Sequence, residues 1–235
     1  MHTVTMPQWA IDYVVRRRGK LHAHADLDPR TTALIVVDLQ NAFMVEEVAA
    51  AFVPAAVEIV PAVNRLAAVV RRTGGKVFWV RNTIDAATVA GWSQWLAMMT
   101  PDVRTALIEN MKPGARGHEL HPDLDVQPVD ETVLKYRFSA FLPGASDLAE
   151  RLRAQGYDTV LITGTLTNVC CESSARDAMM LNFRTVMVSD ANAARTDAEH
   201  NATLASFYVS FGDVMDTDFL IGCLERNAAP RAAAE

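Results

Sequence analysis

Apolar positions along this chain change their spacing in a regular way. Thr32-Ala33-Leu34-Ile35-Val36-Val37 is a continuous apolar, β-branched run of strand length. Between residues 54 and 72 the apolar side chains Val57, Val60, Val63, Leu66, Ala67 and Val70 recur instead at helical spacing. Pro61 lies inside that stretch and marks either a kink or the true first turn of the helix. Gly74-Gly75 ends it. A second buried strand is predicted over residues 76–80, and a third over 131–134, after a long stretch from 100 to 130 punctuated by Pro and Gly. The pattern then sharpens: helix 146–154, turn 155–157, strand 159–163, helix from about 170 to 182, strand 185–188, helix 197–208 and a last short strand at 213–215.

Strands that are apolar throughout, without alternation, belong to a sheet buried on both faces, and helices between them imply parallel crossovers. The fold class is therefore α/β, a three-layer αβα arrangement. Residues 1–30 form an N-terminal extension with one short helix around 8–18. Residues 218–235 form a C-terminal helix and tail, whose Ala-rich end from Ala228 to Glu235 reads as frayed.

Composition narrows the function classes. Half of the 235 residues are hydrophobic and 21% are charged, which suits a globular domain with a sizeable core. No apolar run approaches the ~18 residues of a membrane span, and the basic N-terminal region lacks the apolar core of a signal peptide. A cytoplasmic protein without membrane partners is expected. The net charge is −6, and the tri-arginine run Arg16-Arg17-Arg18 neutralises too few phosphates to suggest nucleic-acid binding. Three cysteines, two of them adjacent at Cys170-Cys171, form neither a disulfide framework nor a Cys-x-x-Cys metal or redox motif. That leaves room for one reactive thiol.

In parallel α/β sheets ligands sit beyond the carboxyl ends of the strands. Three reactive side chains follow predicted strand ends: Asp38 after the first, Lys135 after the third, and Cys170 a short loop after the fourth. A thiol of ordinary pKa near 8.5 is only a few per cent ionised at neutral pH, so its use as a nucleophile requires a base. Asp38 in a desolvated site can take the proton, Lys135 can balance and orient the carboxylate, and a helix beginning near Cys170 favours negative charge on sulfur. The loop Gly164-Thr165-Leu166-Thr167-Asn168-Val169 could aim backbone N–H groups at an oxyanion, as acyl transfer requires.

Three segments carry a family resemblance: Ala33-Leu34-Ile35-Val36-Val37-Asp38-Leu39-Gln40-Asn41-Ala42-Phe43, Leu134-Lys135-Tyr136-Arg137-Phe138-Ser139-Ala140-Phe141, and the stretch from Ile162 through Thr167-Asn168-Val169-Cys170-Cys171 to Ala178. In this order, over about residues 31–217, the chain resembles the isochorismatase-like cysteine hydrolases, and in particular their amidohydrolase branch. The resemblance implies a six-stranded, mainly parallel, Rossmann-like sheet and a Cys/Asp/Lys triad, carried onto Cys170, Asp38 and Lys135. The Thr-Asn-Val-Cys register selects Cys170 over Cys171. It also implies a cis peptide at Thr165-Leu166, an oxyanion site formed by the Leu166 and Cys170 N–H groups, and assembly into a homo-oligomer, dimer or tetramer.

Departures from the family's patterns shape the substrate expectation. Nicotinamidases of this family resemble one another in an Asp-x-His-x-His metal motif after the second strand, where this chain has Arg81-Asn82-Thr83-Ile84-Asp85. No metal and no cofactor is therefore expected, and His118 and His121 read as loop residues. Asn82 resembles an asparagine of ureidoacrylate-type members and is placed to hydrogen-bond a polar substrate. Asn41, Phe43, Tyr136, Trp92 and Trp95 are further candidates for the pocket wall, and Arg137 faces either a carboxylate or an ion-pair partner. The expected activity is hydrolysis of a C–N bond in a small amide or N-carbamoyl compound, with ammonia released. Two alternatives stay open: an isochorismatase-type vinyl-ether hydrolase, and a non-catalytic ligand-binding or assembly subunit.

Overall fold

A computed structural model of the chain describes residues 1–49 and 51–228. Six strands, β1 (Thr32–Val37), β2 (Lys76–Asn82), β3 (Glu131–Lys135), β4 (Thr159–Thr165), β5 (Arg184–Ala193) and β6 (Asp213–Met215), form one sheet in the order β3-β2-β1-β4-β5-β6. Every pairing is parallel. The central strands β1 and β4 are buried at every position, as their unbroken apolar sequences require of a sheet covered on both faces.

The helices are α1 (Gln8–Arg18), α2 (Asn41–Met44), α3 (Pro54–Glu58), α4 (Val60–Arg72), α5 (Ala86–Gly91), α6 (Ser93–Ala97), α7 (Pro101–Met111), α8 (Leu148–Ala154), α9 (Glu172–Met180), α10 (Asp197–Ser210) and α11 (Thr217–Ala228). On one face of the sheet Val63, Leu66, Ala67 and Val70 of α4, with Leu220 and Leu224 of α11, pack on Leu34, Val36, Val77 and Trp79. On the other, Leu148 and Leu152 of α8, Ala175 and Ala178 of α9, and Leu204 and Phe207 of α10 cover Ile35, Val37, Phe78, Val80 and Ile162. Two apolar cores therefore flank one sheet.

The stretch 54–72 divides at Ile59, because Pro61 has no N–H to continue the bonds of α3 and takes a place in the first turn of α4 instead. Both readings of Pro61 are thus satisfied. Arg71 at the end of α4 holds Asp130 at 2.7 Å and Asp125 at 2.9 Å, which fixes the chain where it enters β3. The N-terminal extension lies against α10 and β6: Arg18 donates to the Tyr208 and Gly212 carbonyls, and the Tyr208 hydroxyl donates to Leu21 O. Of the Ala-rich end expected to fray, Ala228 closes α11 and residues 229–235 lie outside the described residues. Among the described residues no helix is long and apolar enough to cross a membrane.

Candidate active site

The chain leaves β1 towards β2 on one side of the sheet and leaves β4 towards β5 on the other, so a crevice opens beyond these two neighbouring strand ends. Asp38 leaves β1 with φ 55°, in the left-handed region that Asp tolerates better than most residues. Its N–H donates to Val80 O at 2.9 Å. Beside it β4 approaches β1 so closely that a Cβ on Gly164 would lie 2.0 Å from Val37 O, and the φ of +117° at Gly164 is foreign to side-chain-bearing residues. Glycine here lets the loop carrying the thiol start within reach of Asp38.

Phe78, Val80 and Val133 belong to the same core as Cys170. The two-residue period of a strand therefore puts Asn82 and Lys135, at the ends of β2 and β3, on that face as well. They are register partners. Lys135 Nζ lies 2.8 Å from Asp38 Oδ2, 3.5 Å from Cys170 Sγ and 3.1 Å from Arg137 O, one neighbour for each ammonium proton. Asp38 and Lys135 are fully buried and Cys170 is 5% exposed. The 2.8 Å approach pairs two fully buried charges.

Cys170 lies in a wide π-helical turn, Thr167–Cys171, in which the Val169 and Cys171 N–H groups both donate to Leu166 O at 3.1 Å. The Thr165–Leu166 peptide is cis, as the resemblance implies. Because α9 starts at Glu172, Cys170 precedes the helix and does not open it, which corrects the helix expected over 170–182. Its electrostatics need the same correction. Burial and the Asp38 carboxylate push the Cys170 thiol well up, and Lys135 opposes them only in part, so sulfur rests as a thiol. Burial also pushes the Asp38 carboxyl above the usual carboxylate range, although Lys135 and Cys170 pull it down. Desolvation works against the charge on Lys135, but Asp38 and Cys170 hold the ammonium above its ordinary value. Cys171 is also buried, with its sulfur directed to Thr163 O at 3.8 Å.

Gln40, which sequence reading gave no role, clamps the end of β2: its Oε1 accepts the Asn82 N–H at 2.8 Å and its Nε2 donates to Asn82 O at 3.1 Å. The same Nε2 donates to His118 O at 2.9 Å. His118 Nε2 is 2.8 Å from the Thr83 hydroxyl, and the Thr83 N–H donates to Lys135 O. Burial and the Arg81 guanidinium lower the His118 pKa to about 4, so its ring is a neutral hydrogen-bonding group in the support of β3. His121 instead turns towards Asp123. No periodicity in a single sequence announces such contacts.

The pocket candidates are distributed unevenly. Asn82 Oδ1 is buried without a partner among the described residues, on the sheet face of Lys135 and Cys170. Asn41 donates through Nδ2 to Arg116 O at 3.0 Å, which leaves its buried Oδ1 unpartnered. Phe43 is packed into the core that faces α4. Tyr136 follows the last residue of β3 and lines a surface depression of about 400 Å³ with Thr132, Leu134 and Arg151. Trp92 and Trp95 stack with centroids 4.1 Å apart, and both meet the edge of Phe138. Arg137 lies over the Trp92 ring and donates to Gly91 O at 3.1 Å, so its guanidinium is engaged by aromatic and carbonyl groups.

Comparison with known proteins agrees with this fold. The Isochorismatase domain profile matches residues 32–219. Over 206 residues the chain is 34% identical to the ureidoacrylate amidohydrolase RutB of Methylobacterium radiotolerans, covering 81% of this chain and 78% of that protein. A cysteine hydrolase from Pseudomonas syringae pv. phaseolicola 1448A superposes with a TM-score of 0.76 at 28% identity, covering 86% of this chain and 96% of that one. The N-carbamoylsarcosine amidase from Thermoplasma acidophilum superposes with a TM-score of 0.64 at 28% identity, covering 80% and 97% respectively.

Proposed function

The chain belongs to the isochorismatase family of hydrolases, and within it we propose a cysteine amidohydrolase that cleaves a C–N bond of a small amide or N-carbamoyl compound and releases ammonia. The observation that carries this reading is the Lys135 ammonium set 2.8 Å from a buried carboxylate and 3.5 Å from a buried thiol. The amidohydrolase and amidase names of its relatives support the substrate class.

In the proposed cycle Asp38 takes the thiol proton as Cys170 Sγ forms a bond to the carbonyl carbon. Proton transfer accompanies attack, because sulfur starts as a thiol and the carboxyl is already raised towards it. Lys135 keeps the cluster balanced while charge moves from carboxylate to oxyanion, and the Leu166 and Cys170 N–H groups receive that oxyanion. Asp38 then returns the proton to the leaving nitrogen as the C–N bond breaks. An amide leaves a thioester and an ureide leaves a thiocarbamate. Water, deprotonated by Asp38, attacks this carbon, and the proton goes back to sulfur as the C–S bond breaks.

Asn82 is the foremost candidate to hydrogen-bond the substrate, since among the described residues its buried Oδ1 has no partner and it is the register partner of Lys135. The stacked pair Trp92 and Trp95 packs on Phe138, three residues after Lys135, and supplies the aromatic wall of the proposed pocket. No metal is assigned a step, because the positions of the Asp-x-His-x-His motif hold other residues and the His118 ring nitrogen is bonded to Thr83. We expect a homo-oligomer in solution. Ammonia release from a panel of ureides and primary amides tests the assignment: turnover of at least one member is expected. Pyruvate release from isochorismate by Cys170→Ala would establish the ether reading in its place. A folded protein inert to all of them, with Cys170 alkylated no faster than Cys223, would leave only a binding role.

A further inference from the structure

We propose that His200 is a positioning residue for the nucleophile, acting through Thr167 on the turn that carries Cys170. The inference rests on the reading of Cys170 as the attacking group. His200 lies on α10 and is fully buried. Its Nε2 is 3.0 Å from Ser189 O, and a carbonyl can only accept, so Nε2 carries the ring proton. Nδ1 is then an acceptor, and it takes the Thr167 hydroxyl proton at 2.9 Å. Thr167 is the first residue of the turn Thr167–Cys171 and the only hydroxyl within it. A single imidazole thus ties that turn to β5 and α10.

The outer face of the imidazole is also occupied. His2 stacks on it with centroids 4.4 Å apart at 20°. His2 is held by the Ala194 N–H, which donates to its Nε2 at 2.9 Å, and by Asp197 Oδ1 at 2.7 Å from its Nδ1. Burial and the neighbouring His2 lower the His200 pKa to about 4, which keeps the neutral tautomer, with its acceptor towards Thr167, through the neutral range. The tether has a purpose in the geometry. Asp38 and Lys135 are fixed by sheet strands, whereas Cys170 is carried by five residues of wide helical turn, and displacement of a reacting atom by ~1 Å can cost on the order of 100-fold in rate. The Thr167–His200–Ser189 chain is what sets the entry of that turn.

The test compares Thr167→Val, Thr167→Ser, His200→Asn and the double variant Thr167→Val/His200→Asn in the full chain. Three readouts apply: the iodoacetamide labelling rate of Cys170 followed on its peptide, ammonia release, and the thermal midpoint. Thr167→Val keeps shape and loses the donor. It is expected to slow labelling and kcat together by roughly 10- to 100-fold, with KM and the thermal midpoint close to wild type. Thr167→Ser should restore both rates, and the double variant should be no slower than Thr167→Val alone, since the two residues act as one unit. Wild-type labelling in Thr167→Val, or losses that multiply in the double variant, would overturn the tether while leaving the nucleophile in place. A wild-type Cys170 that neither labels ahead of Cys223 nor supports turnover would overturn both.

Discussion

Lys135 Nζ meets Asp38 Oδ2 at 2.8 Å where neither side chain touches solvent. Burying two charges is costly, and a pair of apolar residues of similar volume would commonly serve the fold as well or better. That cost fits the catalytic role proposed for Asp38 and Lys135. Removing only one partner has a defined consequence. Lys135→Met strands a buried carboxylate and should lower stability by about 3–5 kcal/mol at neutral pH. Lys135→Met/Asp38→Asn should recover most of that loss, because Asn keeps the left-handed backbone and carries no charge. Both variants should lose activity, the double variant by roughly 10²–10⁴ from its missing base alone. Denaturant unfolding with parallel ammonia assays checks both halves.

The base must be ionised to accept the thiol proton, and burial holds the Asp38 carboxyl above the usual range. Activity is therefore expected to rise with pH through an acid limb displaced above ~4 and to stay level through neutrality, because the raised thiol remains protonated there. The limb belongs to the coupled cluster rather than to Asp38 alone. A profile of kcat/KM against pH decides it, and an acid limb at or below the ordinary carboxylate value would count against the assigned base.

Gly164→Ala places a methyl group 2.0 Å from Val37 O at a φ of +117°. Strain of this kind costs on the order of 1–3 kcal/mol before the clash is counted, and relieving it must separate β4 from β1. The expected outcome is a lowered thermal midpoint together with slowed Cys170 labelling. A variant of wild-type stability would show that the approach of these strands is looser than described.

Much of this was legible in the sequence, for reasons that differ between residues. The strands β1 and β4 announce themselves because double-sided burial demands unbroken apolar runs, and once they are parallel their carboxyl ends bring Asp38, Lys135 and Cys170 together. The turn of Cys170 was misread as the opening of a helix, since Cys170 through Met180 has helical composition and nothing in it marks the wide turn before Glu172. Tyr136 follows Lys135 in sequence and lines a surface depression with Leu134 and Arg151. Gln40, His118 and His200 act through a few hydrogen bonds to residues 11 to 78 positions away, and such bonds leave no periodic signature.

His118 and His200 both have pKa values lowered from 6.5 to about 4, chiefly by burial. Between about pH 4 and 6.5 the unfolded chain therefore binds up to two more protons at these positions than the folded one. Stability contributed by the neutral rings is present above pH 6.5 and is lost as pH falls towards 4. Unfolding midpoints measured across this window should fall with pH, and His118→Gln should flatten the slope. An unchanged slope in that variant would show that His118 titrates normally in the fold.

The most direct trial of the nucleophile is the covalent intermediate itself. With an ureide or amide that the wild-type enzyme turns over, rapid quenching followed by peptide mass analysis should find the acyl or carbamoyl adduct on Cys170, and Cys170→Ala should give neither adduct nor ammonia. Ammonia release at the wild-type rate by Cys170→Ala would contradict the assignment of this sulfur as the attacking atom.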